Sequence, residues 1–174
     1  MTESIARQIV LAARAHGLPQ ASDFRLEEHA VPTPDAGHIL LRVEYLSLDP
    51  YMRGRMDDRE SYAKPLQIGD VMEGESVATV IASKHPEYAE GDIVLARTGW
   101  RTHALSEGIG LRKLDPTLAP VTTRLGVLSM PGFTAYAGLR LIGKPTPGET
   151  VVVANPECST ICCPRRSEHL RERH

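Results

Sequence analysis

Gly143-Lys-Pro-Thr-Pro-Gly-Glu-Thr-Val-Val-Val153 is the stretch on which the fold turns. Its Pro-Thr-Pro-Gly centre predicts a tight turn. The three valines that follow predict a short β-branched strand. A helix that passes through such a turn into such a strand is the normal lead-in to a βαβ layer. A dinucleotide-binding layer continues with a glycine-rich turn and a second helix, whose N-terminus receives the pyrophosphate. Here the next residues are Ala154-Asn-Pro-Glu-Cys-Ser-Thr-Ile-Cys-Cys-Pro-Arg-Arg166, without a glycine. The chain is therefore expected to reach the first strand of that layer and then to diverge.

Upstream of the turn, short apolar runs alternate with turn signals. Strands are predicted at 5–11, 24–28, 38–47, 74–83, 90–96, 99–105 and 110–114. Val31-Pro-Thr-Pro-Asp-Ala-Gly37 supplies a turn with two prolines. Strands at this spacing indicate a small barrel, a sheet closed on itself. The pattern changes after Pro120. Thr122 or Thr123 is placed to cap a helix, Pro131-Gly132 to interrupt it, and Gly143 to end a second helical run from Phe133 to Ile142. The expected organisation is a barrel over 1–121, linking helices and a first strand over 122–153, and a tail over 154–174. The tail holds three cysteines and four arginines and has no usable period, so it is expected to be disordered.

Composition narrows the function classes. The 174 residues suit one domain with a fragment of a second. A net charge of -2 gives no electrostatic reason to expect a nucleic acid or an anionic membrane as partner. No apolar run approaches the ~20 residues of a membrane span, and the N-terminus lacks a signal-peptide pattern. A soluble cytoplasmic protein is the expectation. Cys158, Cys162 and Cys163 lie in one short tail, with His169 and His174 as the nearest further ligands. That set lacks finger-like spacing, so no metal site is expected.

Three segments carry a specific resemblance: Leu46-Ser-Leu-Asp-Pro-Tyr-Met-Arg-Gly-Arg-Met56, Leu128-Ser-Met-Pro-Gly-Phe-Thr-Ala-Tyr-Ala-Gly138, and the 143–153 stretch. In this order and spacing they resemble the zinc-independent medium-chain dehydrogenase/reductases. Within these they resemble the prostaglandin reductase, leukotriene B4 12-hydroxydehydrogenase and curcumin reductase-like group. The resemblance runs from about Arg7 to Val153. It implies a mainly β, GroES-like N-terminal barrel followed by a Rossmann domain that holds NADPH. It also implies hydride transfer from NADPH to the β-carbon of an α,β-unsaturated ketone or aldehyde, and a homodimer. Zinc is not implied. Asp49-Pro50 stands where the zinc enzymes carry a ligand cysteine, and Gly69-Asp-Val-Met-Glu-Gly74 stands where they carry Gly-His-Glu. An enolate oxygen can instead be stabilised by hydrogen-bond donors.

By that resemblance Asp49, Pro50 and Tyr51 approach the nicotinamide end of the cofactor. Tyr51 and Tyr62 face the substrate pocket, and Met130 and Thr134 touch the nicotinamide and its ribose. A phenol can donate to an enolate oxygen or deliver a proton to it. Plainer roles stand beside these: Tyr51 as a core aromatic, Tyr62 on a surface loop, Thr134 as a helix cap, Met130 as a core gap-filler. Arg53 is expected to fix its loop and Tyr136 to be core. His103 is expected at the surface, and Glu73 and Glu75 on a solvated turn. With the pyrophosphate-binding turn missing from the readable pattern, the chain by itself is expected neither to bind NADPH usefully nor to turn over. Two other readings are a non-catalytic barrel that pairs with a full-length subunit, and a metal-binding protein that uses the cysteine tail.

Overall fold

β3 (Ile39–Leu46) is the strand around which the first part of the chain is built in the computed structural model, which describes residues 5–59 and 64–152. Its first three residues, Ile39, Leu40 and Leu41, are all buried, so both faces of the strand are covered there. It pairs antiparallel with β4 (Ser76–Ser83) on one side and with β6 (His103–Ser106) on the other. β5 (Ile93–Ala96) and the two-residue β7 (Arg112–Lys113) complete a five-stranded order β6-β3-β4-β5-β7. The β3–β4 register shifts between Leu40 and Leu41 and again between Val43 and Tyr45. Such irregularities increase local twist and let a sheet curl.

Alternation along the strands brings one face together. Ile39 and Leu41, Ala78 and Val80, Val94 and Ala96 form a buried cluster, with Val43, Tyr88 and Leu111 packed against it. Period-two spacing on three adjacent strands places those side chains on a common face. A second hairpin, β1 (Ile5–Leu11) with β2 (Phe24–Ala30), pairs from Ile5↔Ala30 to Leu11↔Phe24. Beneath it lies a second cluster of Leu11, Ala15, Met56, Leu66 and Met72, flanked by Ile9, Phe24 and Trp100. The Phe24 and Trp100 rings stack with centroids 5.5 Å apart.

The mainly β class is as expected. The wall is not one continuous ladder, however. Among the described residues it consists of the hairpin and the five-stranded sheet. β1 reaches the loops at the sheet's end through bridges from Gln8 to Arg101 and from Val10 to Val71. His103 was expected at the surface, but it is only 6 % exposed. It begins β6 against the central strand, opposite Arg42, and its Nδ1 lies 3.1 Å from Thr102 Oγ1.

The chain divides into two compact units, one ending at Val121 and the other beginning at Thr122. In the second unit, α2 (Met130–Ala137) runs into a π-helical turn, Gly138–Gly143. Pro131 does not interrupt this helix. It occupies the first turn, where its missing N–H costs nothing. Thr122 and Thr123 do not cap it either, because both lie in a 3-10 turn, Val121–Leu125, and Ser129 is the N-cap residue. The left-handed residue that ends the helical run is Lys144, at φ 44°, rather than Gly143. Val151 and Val152 form no strand, since no described strand lies beside them to pair with. Val153 and the cysteine tail lie outside the described residues. Tyr136 was expected in the core but is exposed, as are Phe133 (68 %) and Ile142 (85 %). Among the described residues no helix is long and apolar enough to cross a membrane.

Two glycines allow segments to cross at close range. A Cβ on Gly99 would lie 2.5 Å from Met72 O, and Gly99 adopts φ +71°. A Cβ on Gly74 would lie 2.9 Å from Leu46 Cδ1 and 3.2 Å from Met52 Cε. Gly99→Ala is expected to destabilise the chain by roughly 1–3 kcal/mol through overpacking and strained φ. Gly54, exposed in a helix with open space around it, behaves oppositely. Gly54→Ala should stabilise by about 0.4–1 kcal/mol through the unfolded state. Urea unfolding of both variants checks the pair of signs.

Candidate functional site

β3 ends at Leu46 and the chain turns sharply. Ser47 N donates to Glu75 O (2.9 Å), which ties the start of the turn to the residue before β4. Ser47 Oγ donates to Asp49 Oδ2 at 2.8 Å. Pro50, already at φ -55°, is preset for the helical turn that follows. Met52 N then donates to Asp49 O (3.1 Å) and Arg53 N to Pro50 O (3.1 Å), and α1 (Tyr51–Arg55) begins. Met52 is buried and supplies the apolar contact that seats this short helix.

Arg53 and Arg55 stand two residues apart, so they leave a helix about 200° apart and reach opposite surroundings. Arg53 turns toward the 15–17 loop. Its Nε and Nη2 donate to Gly17 O (3.1 and 2.9 Å), and Nη2 also donates to Ala15 O (3.2 Å). Its Nη1 donates to Asp57 Oδ1 at 2.6 Å. Arg53 therefore fixes its loop, as expected. Arg55 turns the other way and makes a fork: Nε to Glu73 Oε2 (2.9 Å) and Nη2 to Glu73 Oε1 (2.6 Å). Bidentate pairing of this kind adds geometric definition as well as energy. The sequence reading left Glu73 on a solvated turn and so missed this contact.

Tyr51 opens α1 and is half-buried. Burial, with lesser contributions from the carboxylates of Glu73 and Asp49, pushes its phenol above the ordinary value of 10, against the opposing charge of Arg97. The hydroxyl therefore keeps its proton through the neutral range and can donate. A cleft of about 450 Å³ opens beside β5 and β6. Leu41, Ala96, Ala104 and Leu111 give it an apolar part, and Glu75 and Arg97 line it as well. Tyr51 does not line it, but shares the influence of Glu75 and Arg97.

Of the residues singled out in the sequence, Asp49, Pro50 and Tyr51 are brought together at one helix start. Tyr62 lies outside the described residues. Met130 and Thr134 share one face of α2, where Thr134 Oγ1 donates to Met130 O at 2.8 Å. That bond is internal to the helix, so Thr134 is not an N-terminal cap. Met130 is exposed rather than a core gap-filler. Among the described residues no cluster of His, Cys, Asp and Glu could hold a metal ion.

A central antiparallel sheet thus leads through a polar loop into a short tyrosine-led helix. The chain belongs to the family described as the N-terminal domain of oxidoreductase, whose model matches residues 7–114. Within the medium-chain dehydrogenase/reductases it falls in the curcumin and prostaglandin reductase group. It is 54 % identical over 148 residues to the NADPH-dependent curcumin reductase of Escherichia coli (strain K12), a match covering 85 % of this chain and 43 % of that protein. It is 40 % identical over 151 residues to prostaglandin reductase 1 of Oryctolagus cuniculus, covering 85 % of this chain and 41 % of the relative. The crystal structure of CurA from Vibrio vulnificus in complex with NADPH superposes with a TM-score of 0.76 at 51 % identity, covering 82 % of this chain and 42 % of that one. The chain thus spans less than half the length of these relatives.

Two titrations follow from this geometry. Asp57 is held down to about 2 from an ordinary 3.8 by its hydrogen bonds from Arg53 and Arg59. A depressed carboxylate stabilises the fold above its unfolded value and loses that contribution as pH falls through the folded one. NMR of the Asp57 carboxyl should give a midpoint near 2, and Arg53→Ala should return it toward 3.8. Tyr51 has the opposite sign. Its raised value stabilises the fold below pH ~10, and the contribution is lost as pH climbs through the folded midpoint. Ultraviolet difference spectra of the wild-type chain and Tyr51→Phe should show the Tyr51 component ionising above 10.

Proposed function

We propose that this chain supplies the substrate-side half of an NADPH-dependent double-bond reductase acting on α,β-unsaturated ketones and aldehydes. The observation that carries the proposal is Tyr51, a half-buried phenol that stays protonated at the start of α1, beside Asp49. The names of the relatives support the reaction class: NADPH-dependent curcumin reductase, prostaglandin reductase 1 and, from Nicotiana tabacum, 2-alkenal reductase (NADP(+)-dependent).

The residues present fit one end of the cofactor. Asp49 keeps acceptor capacity beyond its bond from Ser47, which suits a carboxamide N–H. Among the described residues, no glycine-rich turn joins a strand to a helix, so the fit does not extend to the pyrophosphate. NADPH, when bound, supplies the hydride. The chain's own part is electrostatic and acidic. Tyr51 donates to the substrate carbonyl oxygen, where negative charge grows during reduction, and such a donor is worth most when that oxygen carries the charge. Tyr62 is proposed as a second donor.

Because a dinucleotide takes much of its binding energy at the pyrophosphate, the chain alone is proposed to bind NADPH poorly. Titration with NADPH, followed by nicotinamide fluorescence, should show no saturable binding, and adding a simple enone should consume none. Micromolar binding with turnover would overturn that statement. The reaction class is tested in a chimera that joins residues 1–152 to the remaining length of the Escherichia coli curcumin reductase. Enone-dependent NADPH oxidation is expected, with Tyr51→Phe lowering kcat about 100-fold, as for loss of a general acid. An active chimera indifferent to Tyr51→Phe would remove Tyr51 from the mechanism.

A further inference from the structure

We propose that Glu73 is a positioning residue for Tyr51, acting through Arg55. The inference rests on the reading of Tyr51 as the donor. α1 has only five residues, too few to hold a helix in water by itself. Its placement must come from contacts. Arg53 anchors it to the 15–17 loop, and Met52 anchors it to the interior. Arg55 anchors the far end, through its carbonyl, which accepts from Leu66 N (2.9 Å), and through its fork on Glu73.

Glu73 is suited to act as the fixed partner. Its backbone neighbours are held on both sides: Met72 O accepts from Trp100 N (2.8 Å), and Gly74 O accepts from Gly99 N (3.1 Å). Met72 is fully buried, and Gly74 is pressed against Leu46, Met52 and Ser47. The carboxylate therefore projects from a segment with little freedom. The Arg55 side chain is 13 % exposed and that of Glu73 40 %, so the pair is partly shielded from water. A shielded, bidentate pair keeps its geometry better than an exposed single contact. Two short bonds at 2.9 and 2.6 Å then fix the rotation of α1 about its own axis, and with it the direction of the Tyr51 ring.

The test uses the chain with 13C-labelled tyrosine and needs no cofactor. The charged groups that face Tyr51 are Glu73, Asp49, Glu75 and Arg97. In Glu73→Gln, the Tyr51 ring signals should shift and the phenol midpoint should fall. Hydrogen exchange at Met52 and Arg53 should quicken about tenfold, equivalent to ~1.4 kcal/mol, while β3, β4 and β5 amides stay unchanged. Arg55→Lys, which keeps the charge but loses the fork, should give the same ring shift and exchange, and the double variant should add nothing. Glu28→Gln, which breaks the distant pair with Arg7 on β1, should leave Tyr51 unmoved. Unchanged Tyr51 and α1 signals in Glu73→Gln would overturn the proposal. So would a uniform loss across the whole unit in both Glu73→Gln and Glu73→Asp, which would make the pair a support of the fold at large. If the chimera ignores Tyr51→Phe, the donor reading fails by itself, and the placement result is judged separately on these signals.

Discussion

Backbone meeting backbone at Gly74 and Gly99 is the constraint on which the site depends. With no side chain at either position, the segment before β4 can lie against the end of β3 and the loop leading into β6. Met72 and Gly74 then bond to Trp100 and Gly99 in the loop before β6, and Glu75 bonds to Ser47 after β3. The turn that carries Asp49 and the helix that carries Tyr51 are fixed to this crossing point. The apolar clusters provide most of the stability, since burial is the dominant favourable contribution to folding. The crossing decides where α1 stands.

Much of the first unit was legible in the sequence. Val-, Ile- and Leu-rich runs with period two gave β1, β3, β4 and β5 close to their observed bounds. That pattern reflects one buried face, and burial is local enough to show in a window of eight residues. The shape of the wall was less legible. Whether strands close into one ladder depends on which edges meet. The bridges from Gln8 to Arg101 and from Val10 to Val71 join residues more than 60 apart, and nothing in either segment announces the other. His103 failed for a related reason. A histidine beside polar neighbours reads as exposed, but β6 lies against the central strand and buries it.

The site divides in the same way. Asp49, Pro50 and Tyr51 were readable because they follow one another. The partner of Arg55 was not, since Glu73 lies 18 positions on and its own surroundings look solvated. In the second unit, Pro131 read as a breaker because proline ends helices from within, yet at the first turn the same ring starts one. Tyr136 has the spacing of a core residue, yet it is exposed. Spacing says which residues share a face and does not say what covers it.

The outer strand of the hairpin has a consequence for how the molecule behaves in company. Among the described residues no strand pairs with the outer edge of β2, and an unpaired edge is a template for joining another sheet. Along it stand Arg25, Glu27, Glu28 and His29, with Arg7 and Gln8 reaching across from β1 to bond Glu28 and Glu27. A second strand docking there would have to strip water from this row of charges, at a cost its backbone bonds would struggle to repay. The row keeps the hairpin in register with itself and makes it a poor seed for polymerisation.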